Sequence, residues 1–139
     1  MGTWMTVREG AGTRSPRAAR FALAAAAAVL ACWAGAGTAA ANNYGAIAYS
    51  PSTRAHGWAY DYPSRAAAER AALANCRRQA SDCTVPIWFR NACGALAIGP
   101  NGYGTGWGTS RGLAERYALS SCRRHSSGCA VTRWVCTTR

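Results

Sequence analysis

Residues 64–78 read SRAAAERAALANCRR, and residues 110–124 read SRGLAERYALSSCRR. The two segments are identical at ten of fifteen positions when residue 64 is placed on residue 110. Self-similarity at a fixed spacing is the sequence signature of duplicated structural units. The chain therefore contains two related copies of one unit, and the residues that differ between the copies are the first place to look for function.

The duplication extends to both sides of this segment. Ahead of it, a shift of 49 residues places Gly57-Trp58 on Gly106-Trp107. We therefore predict one duplicated domain over residues 42–139, with repeat one at residues 44–92 and repeat two at residues 93–139.

Each copy has the pattern of two strands, a helix and a third strand. In repeat one, the apolar residues 44–50 are followed by turn formers and then by residues 57–60, which is typical of a β-hairpin. Ser64 is a natural N-cap for a helix over residues 65 to about 78. The β-branched and aromatic residues 84–90 predict the last strand. Each unit is therefore ββαβ.

Two such units without a long linker predict an α+β fold. The tandem ββαβ repeats are expected to form one mainly antiparallel sheet with both helices packed on it. Small residues recur at every fourth position of each helix, which lets a helix lie close to a sheet: Ala68, Ala72, Cys76, Ala114, Ala118 and Cys122. Four tryptophans shared by the copies are expected to fill the core or the interface between the copies: Trp58, Trp88, Trp107 and Trp134.

Residues 1–41 have the pattern of a secretory signal peptide. Four arginines precede an apolar run at residues 21–31, and small residues continue to Ala41. The segment around Cys32 also resembles a lipoprotein processing site, so the cleavage position and lipidation of Cys32 stay open. No later stretch has the length of a transmembrane segment. We expect a protein that is secreted or held in the cell envelope.

The seven cysteines become an even set of six once Cys32 leaves with the leader. In a small exported domain such a set predicts a disulfide framework. The internal symmetry pairs the six as Cys76–Cys83, Cys122–Cys129 and Cys93–Cys136. Repeat one has Tyr44 and Arg90 at the place of the third bond, where we expect a stacking contact. The thiols lack the close pairing of a zinc site, so neither a metal nor another cofactor is expected.

All sixteen basic residues are arginine, and the formal net charge is +11. Positive charge attracts anionic surfaces and polymers at long range. GC-rich coding, which favours Ala, Arg and Gly, produces the same composition without any partner. The charge fits an unknown protein or an anionic envelope component as partner, and export disfavours nucleic acid.

His56 and His125 are the histidines that could act as general bases, and neither lies in a recognised catalytic motif. Glu69 and Glu115 each follow an arginine by four residues, which favours helix-surface ion pairs over a pair of catalytic acids. The sequence therefore favours a non-enzymatic interaction module. The alternatives are a cell-envelope hydrolase, an inhibitor of one, and a host-directed effector.

The copies differ at their hairpin tips and just before the first helix. Repeat one has Arg54 and His56 in its turn and an insertion that contains Tyr62, whereas repeat two has a glycine-rich turn with Tyr103. These four residues are the predicted contact surface. The alternative is plain turn chemistry, because Gly, Asn, Pro and Ser are ordinary turn formers.

Three phrases carry a resemblance to a known family: YGAIAYSP at residues 44–51, SRAAAERAALANC at residues 64–76 and WFRNACGALAIG at residues 88–99. Together they resemble the exported bacterial family catalogued as domain of unknown function 4189. The resemblance implies a small secreted α+β domain of mycobacteria and related bacteria. It supplies neither a family-wide activity nor catalytic residues.

Overall fold

The structure, a computed structural model, describes residues 42–138. The predicted leader at residues 1–41 lies outside this range. The elements follow one another as β1 (Tyr44–Tyr49), β2 (His56–Tyr62), α1 (Arg65–Cys76), β3 (Thr84–Arg90), β4 (Cys93–Gly99), β5 (Gly102–Gly108), α2 (Arg111–Arg123) and β6 (Ala130–Cys136). The α+β class and the tandem ββαβ order are confirmed.

The strands form two three-stranded antiparallel sheets, sheet one in the order β2-β1-β3 and sheet two in the order β5-β4-β6. The expectation of one continuous sheet is therefore wrong. The reason lies in the two central strands, which are buried along almost their whole length. Successive side chains of a strand point to opposite faces, so both faces of β1 and β4 need an apolar cover. Packing one sheet on the other covers the face that a helix leaves open.

The result is a sandwich of four layers, helix, sheet, sheet and helix. Its two outer interfaces are built from small side chains, because alanines of β1 and β4 meet the small-residue stripes of α1 and α2. The central interface is built from large side chains, among them Ile47, Phe89 and Leu96. All six stripe residues are fully buried, which confirms the predicted stripes.

Two glycines show how closely each helix lies on its sheet, and they also correct the predicted alignment of the copies. A Cβ on Gly57 would lie 2.3 Å from the Ala72 carbonyl oxygen, and a Cβ on Gly104 would lie 2.6 Å from the Ala118 carbonyl oxygen. Since Ala72 and Ala118 are equivalent, Gly57 corresponds to Gly104. The predicted match with Gly106 is wrong by two residues.

The error has a physical reason. Glycines alternate along β5 at Gly102, Gly104, Gly106 and Gly108, so a shift of two residues keeps the glycine pattern. The turn between β4 and β5 is also shorter than the turn between β1 and β2. In the corrected alignment, Trp58 corresponds to Thr105 and Trp107 to Tyr60.

The three predicted disulfides are confirmed. Cys76–Cys83 and Cys122–Cys129 each join a helix end to the loop before the next strand, and both have a Cα–Cα distance of 6.1 Å. Cys93 and Cys136 are cross-strand partners in sheet two, as Tyr44 and Arg90 are in sheet one. The Tyr44 ring lies 6.3 Å from the ring of Trp88.

Candidate anion-binding site

The structure brings together two of the four predicted contact residues. Arg54 lies at the tip of the first hairpin, and its guanidinium donates to the Pro100 carbonyl at 3.1 Å, which joins the two hairpin tips. His56 follows at the start of β2. Tyr62 lies at the opposite end of the same strand, away from both.

The Tyr103 side chain packs against the interior of the domain. Its ring packs 4.7 Å from the ring of Tyr49 in the layer between the sheets. Burial raises the pKa of the Tyr49 hydroxyl above its ordinary value. Tyr103 is therefore partly buried, where the sequence suggested an exposed side chain at a turn.

Arg133 on β6 completes the site, and the sequence reasoning missed it. Its guanidinium lies 3.8 Å from the centre of the Trp58 ring. Its Nη2 atom lies 3.4 Å from His56 Nε2, and its Nε atom is buried without a hydrogen-bond partner. A signal was present, because Arg133 falls on Ile87 in the duplication, and a cation at an inward-facing strand position is unusual.

These side chains line a pocket of about 470 Å³. Its charged or titratable groups are Arg54, Arg133 and His56, and its uncharged polar side chains are Thr53 and Gln79. Among residues 42–138, no carboxylate lines the pocket. Because a carboxylate would be needed to balance the two guanidinium groups, the pocket has a positive potential and favours an anion.

The two ring nitrogens of His56 face different partners. Its Nδ1 atom lies 3.4 Å from the Arg54 carbonyl oxygen, and its Nε2 atom faces the Arg133 guanidinium. A carbonyl oxygen only accepts and a guanidinium only donates, so these contacts fit the tautomer in which Nδ1 donates and Nε2 accepts.

The carboxylates of residues 42–138 are all engaged elsewhere. The predicted helix ion pairs are confirmed, because Glu69 and Glu115 each accept from an arginine of the same helix at 2.6 Å. The helices belong to opposite outer layers, so these two acids do not form a pair. Asp61 accepts from the backbone N–H of Thr138 at 2.7 Å. No acid is left to neutralise the pocket.

Asp82 holds the first hairpin tip, a role that the sequence did not suggest. The buried Ser50 hydroxyl donates to Asp82 Oδ1, and the Ser52 N–H donates to Oδ2. These hydrogen bonds lower the pKa of the Asp82 carboxyl. Among residues 42–138, no hydrogen bond joins Ser50 to a histidine, so this serine and aspartate belong to a turn and do not form a triad.

The expectation that four tryptophans fill the core or the interface between the copies is wrong for three of them. Trp88 and Trp134 are 39% and 40% exposed, and each lies under an arginine from the start of a helix. Trp107 is 58% exposed. Trp58 does lie at the interface between the copies. At Trp88 and Trp134, the alanine stripes bring the helices so close to the sheets that an indole fits only at the rim.

Within residues 42–138, no group of three or more His, Cys, Asp or Glu side chains is placed to hold a metal ion. In the same range, neither helix has the length and apolar character needed to cross a bilayer. The three disulfides indicate folding in an oxidising, extracytoplasmic compartment.

Residues 44–136 match the family described as domain of unknown function (DUF4189). The chain belongs to this family. It is 48% identical over 69 residues to Protein Rv1269c of Mycobacterium tuberculosis and to Protein Mb1300c of Mycobacterium bovis. That alignment covers 50% of this chain and 52% of each relative, so the chain spans about half the length of the curated relatives it matches.

A solved relative supports the fold. The NMR structure of Rv1813c from Mycobacterium tuberculosis is 36% identical to this chain and superimposes with a TM-score of 0.51. The match covers 68% of this chain and 74% of the other. The family and its fold are therefore established, and the function has to be argued from the site.

Proposed function

We propose that this domain is a secreted or envelope-held, non-enzymatic binding module that recognises an anionic group on a protein or an envelope component. The recognised group is a phosphate, sulfate or carboxylate held between Arg54 and Arg133. One observation carries the proposal: two arginines and a histidine share a pocket without a carboxylate, while the acids of the described chain are bound elsewhere.

The chemistry of arginine supports an oxyanion as the bound group. Its planar guanidinium offers two parallel N–H donors that match two oxygens of a carboxylate or phosphate. Arg133 is already oriented by its stack on Trp58 and has an Nε atom without a partner.

The rigidity of the framework also supports a binding role. The Arg54–Pro100 hydrogen bond joins the two hairpin tips, Asp82 holds the first of them, and the three disulfides cross-link the framework behind them. A preorganised site loses little conformational entropy on binding. Export, which the leader at residues 1–41 predicts, would bring this surface to anionic envelope polymers and to extracellular proteins.

The test is a titration of the protein with inorganic phosphate, sulfate and acetate at low ionic strength, followed by NMR shifts of backbone amides. Arg54→Gln and Arg133→Gln should each weaken binding about tenfold, because each removes a charged donor pair. Arg116→Gln is the control, since it removes the same charge from the exposed face of α2. Equal losses in all three variants would mean that net charge alone attracts the anion, and the proposal would fail.

A further inference from the structure

The edge of the sandwich opposite the anion pocket has a different character. There, β3 of sheet one lies beside β5 of sheet two, as β2 lies beside β6 at the pocket. In the corrected alignment, Ile87 occupies the place of Arg133, and Thr105 occupies the place of Trp58. Smaller side chains replace a stacked arginine and tryptophan, and a groove of about 620 Å³ results, which we call the β3–β5 groove. Its volume lies within the range of small-molecule sites.

The floor and walls of the β3–β5 groove are apolar. Ile87 and Phe89 form the floor, and both belong to the cluster that packs between the two sheets. Trp107 lines the groove, Trp88 lines it from the edge of β3 on the side of α1, and both indoles are exposed to water. Exposed indoles beside an opening into the core make this edge an apolar surface that a ligand can cover with a gain in free energy.

The polar side chains that line the groove are few. Arg90, at the exposed end of β3, is its charged side chain, and within residues 42–138 no carboxylate lines the groove. The hydroxyl-bearing side chains are Tyr44 and Thr105. The lining therefore suits a ligand with an apolar body and one negative charge.

The edge of β3 also disfavours a peptide that binds as an added strand. Pro86 lies inside β3 and lines the groove. A proline has no backbone N–H to donate and is a device that protects sheet edges from strand addition. A continuous ladder of hydrogen bonds along β3 would be broken at this residue.

We propose that the β3–β5 groove binds a monomeric amphiphile with a single acyl chain and an anionic head. The acyl chain lies over Ile87 and Phe89, beside Trp107 and against the exposed edge of Trp88, and the head lies at the Arg90 guanidinium. This site is separate from the anion pocket in position and in chemistry, so either proposal can fail without the other.

The duplication supplies a matched pair of variants for the test. Trp88 and Trp134 are equivalent, have nearly equal exposure and each lie under an arginine, but only Trp88 lines the groove. The full chain is titrated by calorimetry with dodecanoate below its micelle concentration. Trp88→Ala should weaken binding about tenfold through the lost apolar contact, and Trp134→Ala should change it less than about twofold.

Two more arms identify the ligand chemistry. Arg90→Gln should weaken binding of dodecanoate and leave binding of its uncharged glycerol ester unchanged. Ile87→Arg places an arginine where the β2–β6 edge has Arg133, and it should abolish binding of both ligands while the disulfides still form. If this variant does not fold, the comparison of Trp88→Ala with Trp134→Ala decides. Arg116→Gln, which removes a charge from the exposed face of α2, should leave the affinity for dodecanoate unchanged.

The proposal has clear ways to fail. It is overturned if dodecanoate does not bind, or if Trp88→Ala and Trp134→Ala weaken binding equally. It is also overturned if the protein binds vesicles of phosphatidylglycerol but not monomeric dodecanoate, because a lipid surface would then be the occupant of this edge.

Discussion

The two open edges of the sandwich come from one duplicated unit, yet they present opposite surfaces. At the β2–β6 edge, Arg133 stacks on Trp58 and closes the gap between the sheets with a cation. At the β3–β5 edge, Ile87 and Thr105 leave that gap open and apolar. Two positions thus separate a charged pocket from an apolar groove, and the shared scaffold is left unchanged.

Phe89 is the side chain on which both edges depend most. It packs between the sheets against two equivalent glycines, since a Cβ on Gly45 or on Gly94 would lie within 2.3 Å of its ring. We expect Phe89→Ala to lower the free energy of unfolding by about 3–5 kcal/mol, measured by chemical denaturation. The equivalent Val135→Ala should cost about 2 kcal/mol. Equal losses would show that the centre of the sandwich is as symmetric as the sequence.

The Cys93–Cys136 bond is the next largest difference between the copies, because Tyr44 and Arg90 stand in its place in repeat one. It closes a loop with a sequence separation of 43, against 7 for the other two bonds. Replacing both cysteines by serine should cost about 4 kcal/mol in the chain-entropy estimate. Removing Cys76–Cys83 in the same way should cost about 2.5 kcal/mol. The reverse order in denaturation midpoints would rule out loop length as the cause.

At the β2–β6 edge, one substitution should open the gap that Arg133 closes between the sheets. Arg133→Ala removes the stack on the half-buried Trp58 and should lower the free energy of unfolding by about 1–2 kcal/mol. Arg111→Ala removes a similar stack on the more exposed Trp134 and should cost about 0.5–1 kcal/mol. Only the first variant should gain fluorescence with an apolar dye. A dye signal of the same size in both would contradict the contrast between the edges.

The smallest expected effect at neutral pH concerns Asp82, whose place in repeat two is taken by Gly128. Its carboxyl has a lower pKa in the folded protein than in the unfolded chain. Its stabilising contribution is therefore present above the unfolded value of about 3.9 and is lost as the pH falls through the folded pKa. Denaturation curves measured down to low pH should show this loss in the parent protein. Asp82→Asn should remove this part of the pH dependence, and an unchanged acid profile would exclude Asp82 as its source.

Much of the scaffold follows from the sequence because the duplication checks each inference twice. The ββαβ order, the small-residue stripes, the Arg65–Glu69 and Arg111–Glu115 pairs and the two short disulfides all rest on short-range spacing, and the third disulfide follows from matching the two copies. Short-range spacing is fixed by helix and strand geometry. The same geometry holds in the structure.

The candidate sites were less accessible to sequence reasoning. The two-residue error in aligning Gly57 hid the correspondence between Trp58 and Thr105, and with it the contrast between the edges. Arg133 was missed because it lies 77 residues from His56, and only the packing of one sheet on the other brings them together. The exposure of Trp88 and Trp134 depends on how close the helices lie to the sheets, and no local sequence pattern predicts that distance.

By itself, the sequence determined the repeated unit, its helix faces and its cross-links, since these depend on periodicity and on the matching of two copies. The tertiary structure alone decided that there are two sheets in four layers, and which side chains meet at each edge. The physical reason is that apolar residues on both faces of a strand require cover on both faces, but the identity of that cover depends on contacts between residues distant in the chain.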